Sequence, residues 1–140
     1  MSDTGARSED RGRIELNWEA VDRFATACRT NDSVIAAFLG GSLASGLADE
    51  ESDLDLYVVV SESQYEGFLT RSEEFLRSWG DVVFSTAIRN FENLGFDMVL
   101  FTMADGVEGE LALATERTSW PRMEALTECW PTRKAIVTAV

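Results

Sequence analysis

Two aspartates one residue apart, Asp53 and Asp55, stand ten residues after a Gly40-Gly41-Ser42 turn. The turn follows an apolar run, Val34 to Leu39, and the aspartates lead directly into a second one, Leu56 to Val60. Side chains on a strand alternate between faces, so Asp53 and Asp55 fall side by side while Leu54 and Leu56 point the other way. Two carboxylates held that close repel unless a positive charge lies between them. A hard divalent cation answers that need, and Mg²⁺ typically takes one or two carboxylates together with substrate phosphates. A glycine turn after the preceding strand lets backbone N–H groups approach an anion closely. The two parts together describe a site for a metal-bound nucleoside triphosphate. Turn chemistry at Ser52-Asp53 would account for one aspartate at a strand entry, but not for the glycine turn upstream.

Gly-Ser, a spacer of about ten residues, and Asp-x-Asp entering a strand resemble the motif of the nucleotidyltransferase superfamily related to DNA polymerase beta. Within it the chain is most similar to the small aminoglycoside-type and minimal nucleotidyltransferase domains, over roughly residues 34–102. No Gly-Lys-Ser/Thr follows the turn and no Gly-x-Gly-x-x-Gly is present, so neither a Walker-A loop nor a dinucleotide fingerprint fits. The resemblance implies that Gly41 and Ser42 contact the phosphates and that Asp53 and Asp55 ligate Mg²⁺. It also implies a third carboxylate on a later strand, which completes the metal site or acts as base toward an acceptor hydroxyl. Asp97 is the residue expected there, because it interrupts the apolar run Gly95 to Phe101 and Asp is disfavoured in strands. Asp105, beside Gly106, reads instead as a turn or a cap.

The implied activity is transfer of a nucleoside monophosphate from a triphosphate, ATP being the expected donor, to a hydroxyl of a small molecule or a protein. The acceptor pocket would come from the short C-terminal tail, a second copy of the chain or a partner protein, and in antitoxin-like minimal members the acceptor is itself a partner protein. The alternative is a module that binds nucleotide or protein with weak or no catalysis. One departure from the family supports that alternative: many members carry an Arg inside the motif where this chain has Ser45. No Lys or Arg lies between Arg29 and Arg71, so Arg71, Arg77 or Arg89 would have to supply the missing cation.

Composition bounds these readings. The formal net charge of −13 argues against a basic nucleic-acid-binding surface and makes a polyanionic substrate unwelcome without a metal ion. With no histidine in the chain, histidine catalysis and His-ligated zinc are excluded. Cys28 and Cys129 have no metal spacing and read as reduced thiols of a cytoplasmic protein. No apolar run approaches a membrane span, and no signal-peptide pattern opens the chain. Lys134 is the only lysine, and such an acidic, lysine-poor surface is expected of a protein kept soluble in a salt-rich cytoplasm.

The elements that must position the motif follow from periodicity. Residues 1–13 read as a flexible terminus. Trp18, Val21, Phe24, Ala25 and Cys28 mark the inner face of a helix from Leu16 to Thr30. Strands are expected at 34–39, 54–60, 82–88 and 95–102, with a short helix near 42–47. A long helix should start at a Ser61–Gln64 capping box and run to Trp79, ahead of Gly80. Leu111, Leu113 and Ala114 suggest a helix over 107–115, and Trp120-Pro121 and Trp130-Pro131 flank another at 122–128. The expected fold is α/β (α+β), a mixed sheet of about four strands flanked by helices. A nucleotidyltransferase-like domain would occupy 14–116, with 117–140 a short C-terminal extension packed on it.

Overall fold

The computed structural model describes residues 2–49, 52–89, 96–115 and 134–138. The first helix, α1 (Ser2–Arg29), leads to β1 (Val34–Gly40), the one-turn helix α2 (Gly41–Ser45) and β2 (Leu54–Val60). Two short helices follow, α3 (Tyr65–Thr70) and α4 (Ser72–Arg77), and then β3 (Val82–Ile88), β4 (Asp97–Met103), β5 (Glu108–Thr115) and β6 (Lys134–Thr138). The strands form one mixed sheet in the order β3-β4-β5-β2-β1-β6, with β2 and β5 parallel and every other pair antiparallel.

One face of the sheet carries the core. Leu54, Leu56, Val58 and Val60 of β2 and Leu111 and Leu113 of β5 are buried with Val99, Phe101 and Met103 of β4. Helices α1, α3 and α4 supply the opposing layer through Phe24, Phe68, Phe75, Leu76 and Trp79. Their rings interlock edge-on: Phe24 meets Trp79 at 5.6 Å, and Trp79 meets Phe101 at 5.7 Å, an arrangement that favours aromatic pairs. Cys28 lies in this layer, and burial pushes its thiol up to about 12, so it stays a protonated packing residue. Trp18 is 41% exposed and does not join the stripe that its spacing suggests.

Four local expectations are corrected. The first helix begins at Ser2, not near Leu16, and takes in residues read as a flexible terminus; no proline lies between Ser2 and Arg29 to stop it. The capping box does not form: Ser61 opens a single 3-10 turn without a side-chain cap bond, and the Gln64 side chain accepts from the Ser33 hydroxyl instead. The long helix is interrupted at Arg71, whose φ of −102° and ψ of 21° separate α3 from α4.

The fourth correction matters most for function. Residues 108–115 are not helical but form β5, a central strand paired on both sides. A turn at Asp105-Gly106 delivers it. The Asp105 carboxylate accepts from the Val107 N–H at 3.1 Å, and Gly106 holds φ +96°. Residues 134–138 add a sixth strand beside β1. The expected helix at 122–128, the two Trp-Pro breaks and Cys129 lie outside the described residues. Among the described residues no helix is long and apolar enough to cross a membrane.

The β2–β5 contact depends on Gly109. A Cβ there would lie 2.7 Å from the Leu54 carbonyl oxygen and 2.7 Å from the Phe101 ring. Gly109→Ala should therefore destabilise the protein by about 1–3 kcal/mol, the usual cost of overpacking. A guanidinium denaturation midpoint equal to that of the wild type would contradict this.

Candidate active site

Strand register lines up the chemistry. Gly40 of β1 lies opposite Asp55 of β2, Asp55 opposite Glu110 of β5, and Glu110 opposite Leu100 of β4. Asp55 and Glu110 project from the face away from Leu54, Leu56, Leu111 and Leu113. With strands about 4.8 Å apart, these two carboxyl groups are nearest neighbours. Asp53 stands two residues before Asp55, and Glu108 two residues before Glu110, so both start on that same face.

The turn presses on this row. Gly41 takes φ +69°, and a Cβ on it would lie 2.0 Å from Asp55 Oδ2. Any side chain at 41 would displace the carboxylate as well as strain the backbone. Gly40 is extended, and no side chain caps the first N–H groups of α2. The connecting loop is clamped just ahead of Asp53. Ser42 Oγ donates to Ser52 Oγ at 2.9 Å, and the Asp49 N–H donates to that same oxygen at 2.8 Å. The buried Asn17 amide of α1 donates to the Ser52 carbonyl at 3.1 Å. The Ser42 hydroxyl is thus engaged with Ser52 and fixes the start of β2.

Negative charge accumulates here, and among the described residues Arg13 is the cation that acts on Asp53. Burial, and then the Asp53 carboxylate, push Asp55 above the ordinary range. Burial raises Glu110 as well, aided by Asp55 and Asp53. Asp53 is raised by burial and by Glu108, while Arg13 pulls it down. Arg13 of α1 donates to the Gly106 carbonyl at 3.1 Å, so the cation that acts on the site comes from the first helix. Of the arginines expected in that role, Arg77 pairs with Glu73 at 3.1 Å and Arg89 with Glu66 at 3.0 Å. Arg71 lines a cleft with Asp32, Ser33 and Phe75. Ser45 donates to the Ser42 carbonyl at 3.0 Å, a bond that tightens α2.

Asp97 lies elsewhere. It pairs with Leu113, three residues beyond Glu110, and an odd step places it on the opposite, helix-covered face. There Tyr65 of α3 donates to Asp97 Oδ2 at 2.6 Å and also lies 2.8 Å from the Leu113 carbonyl. Arg89 Nε donates to Asp97 Oδ1 at 3.3 Å. Burial, followed by the hydrogen bond to Asp97, raises the Tyr65 phenol. The structure therefore brings Gly41, Asp53 and Asp55 together and leaves Asp97 as a tie between β4 and α3. Glu110, which the sequence reading did not single out, is the carboxylate that the structure sets beside Asp55. The signal for it was available in the Glu108-x-Glu110 alternation before an apolar run, the same pattern that marks Asp53-x-Asp55.

The Nucleotidyltransferase domain family model matches residues 21–100, more than half of the chain. The chain belongs to that family. A search of curated proteins finds no match. Among solved structures, an aminoglycoside 6-adenyltransferase from Bacillus subtilis is 16% identical with a TM-score of 0.49, covering 83% of this chain and 38% of that one. Cid1, solved with the UTP analogue UMPNPP, is 18% identical with a TM-score of 0.47, covering 76% and 31%. This nucleotidyltransferase domain thus spans well under half the length of either neighbour.

The charge cluster sets the pH dependence of stability. A carboxyl group whose folded pKa exceeds its unfolded one binds more protons when folded, so its contribution is present at low pH and lost as pH rises. The Asp53–Asp55–Glu110 cluster should therefore weaken the metal-free protein as pH climbs from about 4, the unperturbed carboxylate value, through the raised values. Asp55→Asn should flatten that decline and raise the thermal midpoint near neutrality. Superimposable stability-versus-pH curves for wild type and variant would show that the cluster carries no such strain.

Proposed function

We propose that this domain transfers a nucleoside monophosphate from a nucleoside triphosphate, ATP being the expected donor, to an acceptor hydroxyl. The observation that carries the reading is the row Gly41–Asp55–Glu110 with Asp53 beside it: a glycine turn packed against Asp55, with Asp53 and Glu110 as neighbouring carboxylates. In the reaction the acceptor oxygen attacks the α-phosphorus, the bond from that phosphorus to the β-phosphate bridging oxygen breaks, and pyrophosphate leaves. The acceptor proton would pass to a carboxylate, and Glu110, next to Asp55 on the neighbouring strand, is the group we assign to that task.

The donor set fits Mg²⁺. All three side chains offer hard oxygen ligands, and their pKa values are raised first by burial and then by neighbouring carboxylates, whose charge a cation would relieve. Among the described residues no three such side chains are grouped so that they could hold an ion by themselves, so waters and substrate phosphates would have to supply further ligands. Asp53, Asp55 and Glu110 would hold the metal, which when bound neutralises phosphate charge as pyrophosphate forms. Gly40 and Gly41 offer backbone N–H groups to the phosphates, and the clamped Ser42–Ser52 bond keeps the turn at fixed distance from Asp53. Most of the rate advantage then comes from positioning and preorganised charge.

A second reading, nucleotide binding without turnover, draws on Ser45: its hydroxyl serves α2 and brings no positive charge to the turn. Calorimetric titration of ATP separates the readings in two steps, run in dilute and in molar KCl because the acidic surface suits a salt-rich cytoplasm. Wild type should bind ATP only with Mg²⁺, and Asp53→Asn should lose that binding while keeping its far-UV dichroism. Absence of Mg²⁺-dependent binding in both salts would overturn the site. Binding without pyrophosphate release in the presence of candidate acceptors would select the second reading.

A further inference from the structure

Gly40 is a glycine that its own backbone does not require. Its φ of −123° and ψ of −167° are extended, a conformation open to any residue. What demands a glycine there is Tyr57. A Cβ on Gly40 would lie 2.9 Å from Tyr57 Cε1 and 3.7 Å from both Cζ and Oη. Tyr57 stands opposite Phe38 of β1, two residues short of Gly40, so its ring leans along the sheet toward the turn. The phenol therefore occupies the space that a side chain at 40 would fill.

The parity that aligns the carboxylates puts Tyr57 among them. It follows Asp55 by two residues on β2, on the face away from Leu54, Leu56 and Val58. Asp55 has Gly40 on one side and Glu110 on the other. The phenol, lying over Gly40, thus flanks Asp55 on the side remote from Glu110. Packing against the cluster of Phe96, Ala112 and Ala114 supports the ring, yet the residue is only half-buried.

Resting on the nucleotide-transfer reading, we propose that the Tyr57 hydroxyl binds the triphosphate, donating a hydrogen bond to a phosphate oxygen on the Gly40–Gly41 turn. Other side-chain donors of the turn are engaged within it: Ser42 donates to Ser52, and Ser45 donates to the Ser42 carbonyl. Ser45 also stands where many family members place an arginine, so a neutral donor reaching in from β2 takes over part of that arginine's task. A phenol suits it, because its O–H sits on a stiff ring that costs little entropy to hold in place. The ring alone would serve a purely structural purpose, since an aromatic side chain laid across a strand glycine stabilises a sheet. Only the hydroxyl distinguishes the two purposes.

Calorimetric titration with Mg²⁺-ATP and with Mg²⁺-tripolyphosphate, in dilute and in molar KCl, separates hydroxyl from ring. Tyr57→Phe keeps the ring and should keep the thermal midpoint. Its affinity for both ligands should fall about tenfold or more, the loss expected of one hydrogen bond to a charged oxygen. Gly40→Ala, whose Cβ displaces the ring, should weaken binding on its own and add nothing to Tyr57→Ala. A Tyr57→Phe protein that binds both ligands as the wild type does overturns the proposal and leaves the transfer reading standing. So does a fall for ATP with none for tripolyphosphate, which would put the phenol on the nucleoside. A wild type that binds neither ligand removes the transfer reading, and the proposal with it.

Discussion

β2 and β5 lie side by side and run the same way, and the rest of the site follows from that pairing. A parallel pair cannot be joined by a tight hairpin, so the chain leaves β2, crosses through α3 and α4, and returns by way of β3 and β4 before β5 is laid down. Only after that circuit does Glu110 arrive beside Asp55. The approach is close because Gly109 has no side chain to strike the Leu54 carbonyl. On the other flank of β2, Gly41 plays the corresponding part and lets the turn rest against the Asp55 carboxylate. A pair of glycines thus brackets one aspartate, and the sheet holds the pieces in register.

The two faces of the sheet treat acidic residues in opposite ways. On the helix-covered face, Asp97 is buried yet receives donors from Tyr65 and Arg89, so its charge is met within the fold. On the open face, burial and then neighbouring carboxylates push Asp53, Asp55 and Glu110 up. Arg13, bound to the Gly106 carbonyl, offsets only part of that repulsion. A protein with net charge −13 has little need of another acidic cluster for solubility. On the proposed reading, a cation with its phosphate ligands would answer this charge.

Much of this was legible in the residues. β2 and β3 were expected at 54–60 and 82–88 and occupy those ranges, because turn residues and β-branched runs delimit them. The glycine turn and the Asp53–Asp55 pair could be placed on one site from spacing alone. β5 could not, since Leu111, Ala112, Leu113 and Ala114 are all buried in a central strand and show no alternation to reveal one. Leu and Ala also favour helices intrinsically, and tertiary pairing overrode that preference. With β5 unread, Glu110 had no visible neighbour, and Asp97 took its place in the reasoning. The two differ in parity: Asp97 sits on an adjacent strand but an odd number of residues from Glu110's row, hence on the opposite face. The capping box failed for a similar reason, as Gln64 found a long-range partner in Ser33 that local spacing cannot show.

The claim at the centre of this account is that Glu110, and not Asp97, completes the carboxylate set. Titration of Mn²⁺, followed by its paramagnetic resonance signal in the presence of ATP, tests it directly on wild type, Glu110→Gln and Asp97→Asn. Glu110→Gln should weaken Mn²⁺ binding by about tenfold or more, equivalent to about 1.4 kcal/mol. Asp97→Asn should bind the ion as wild type does while lowering the thermal midpoint through the lost Tyr65–Arg89 tie. Undiminished binding in Glu110→Gln, with loss in Asp97→Asn, would contradict the account.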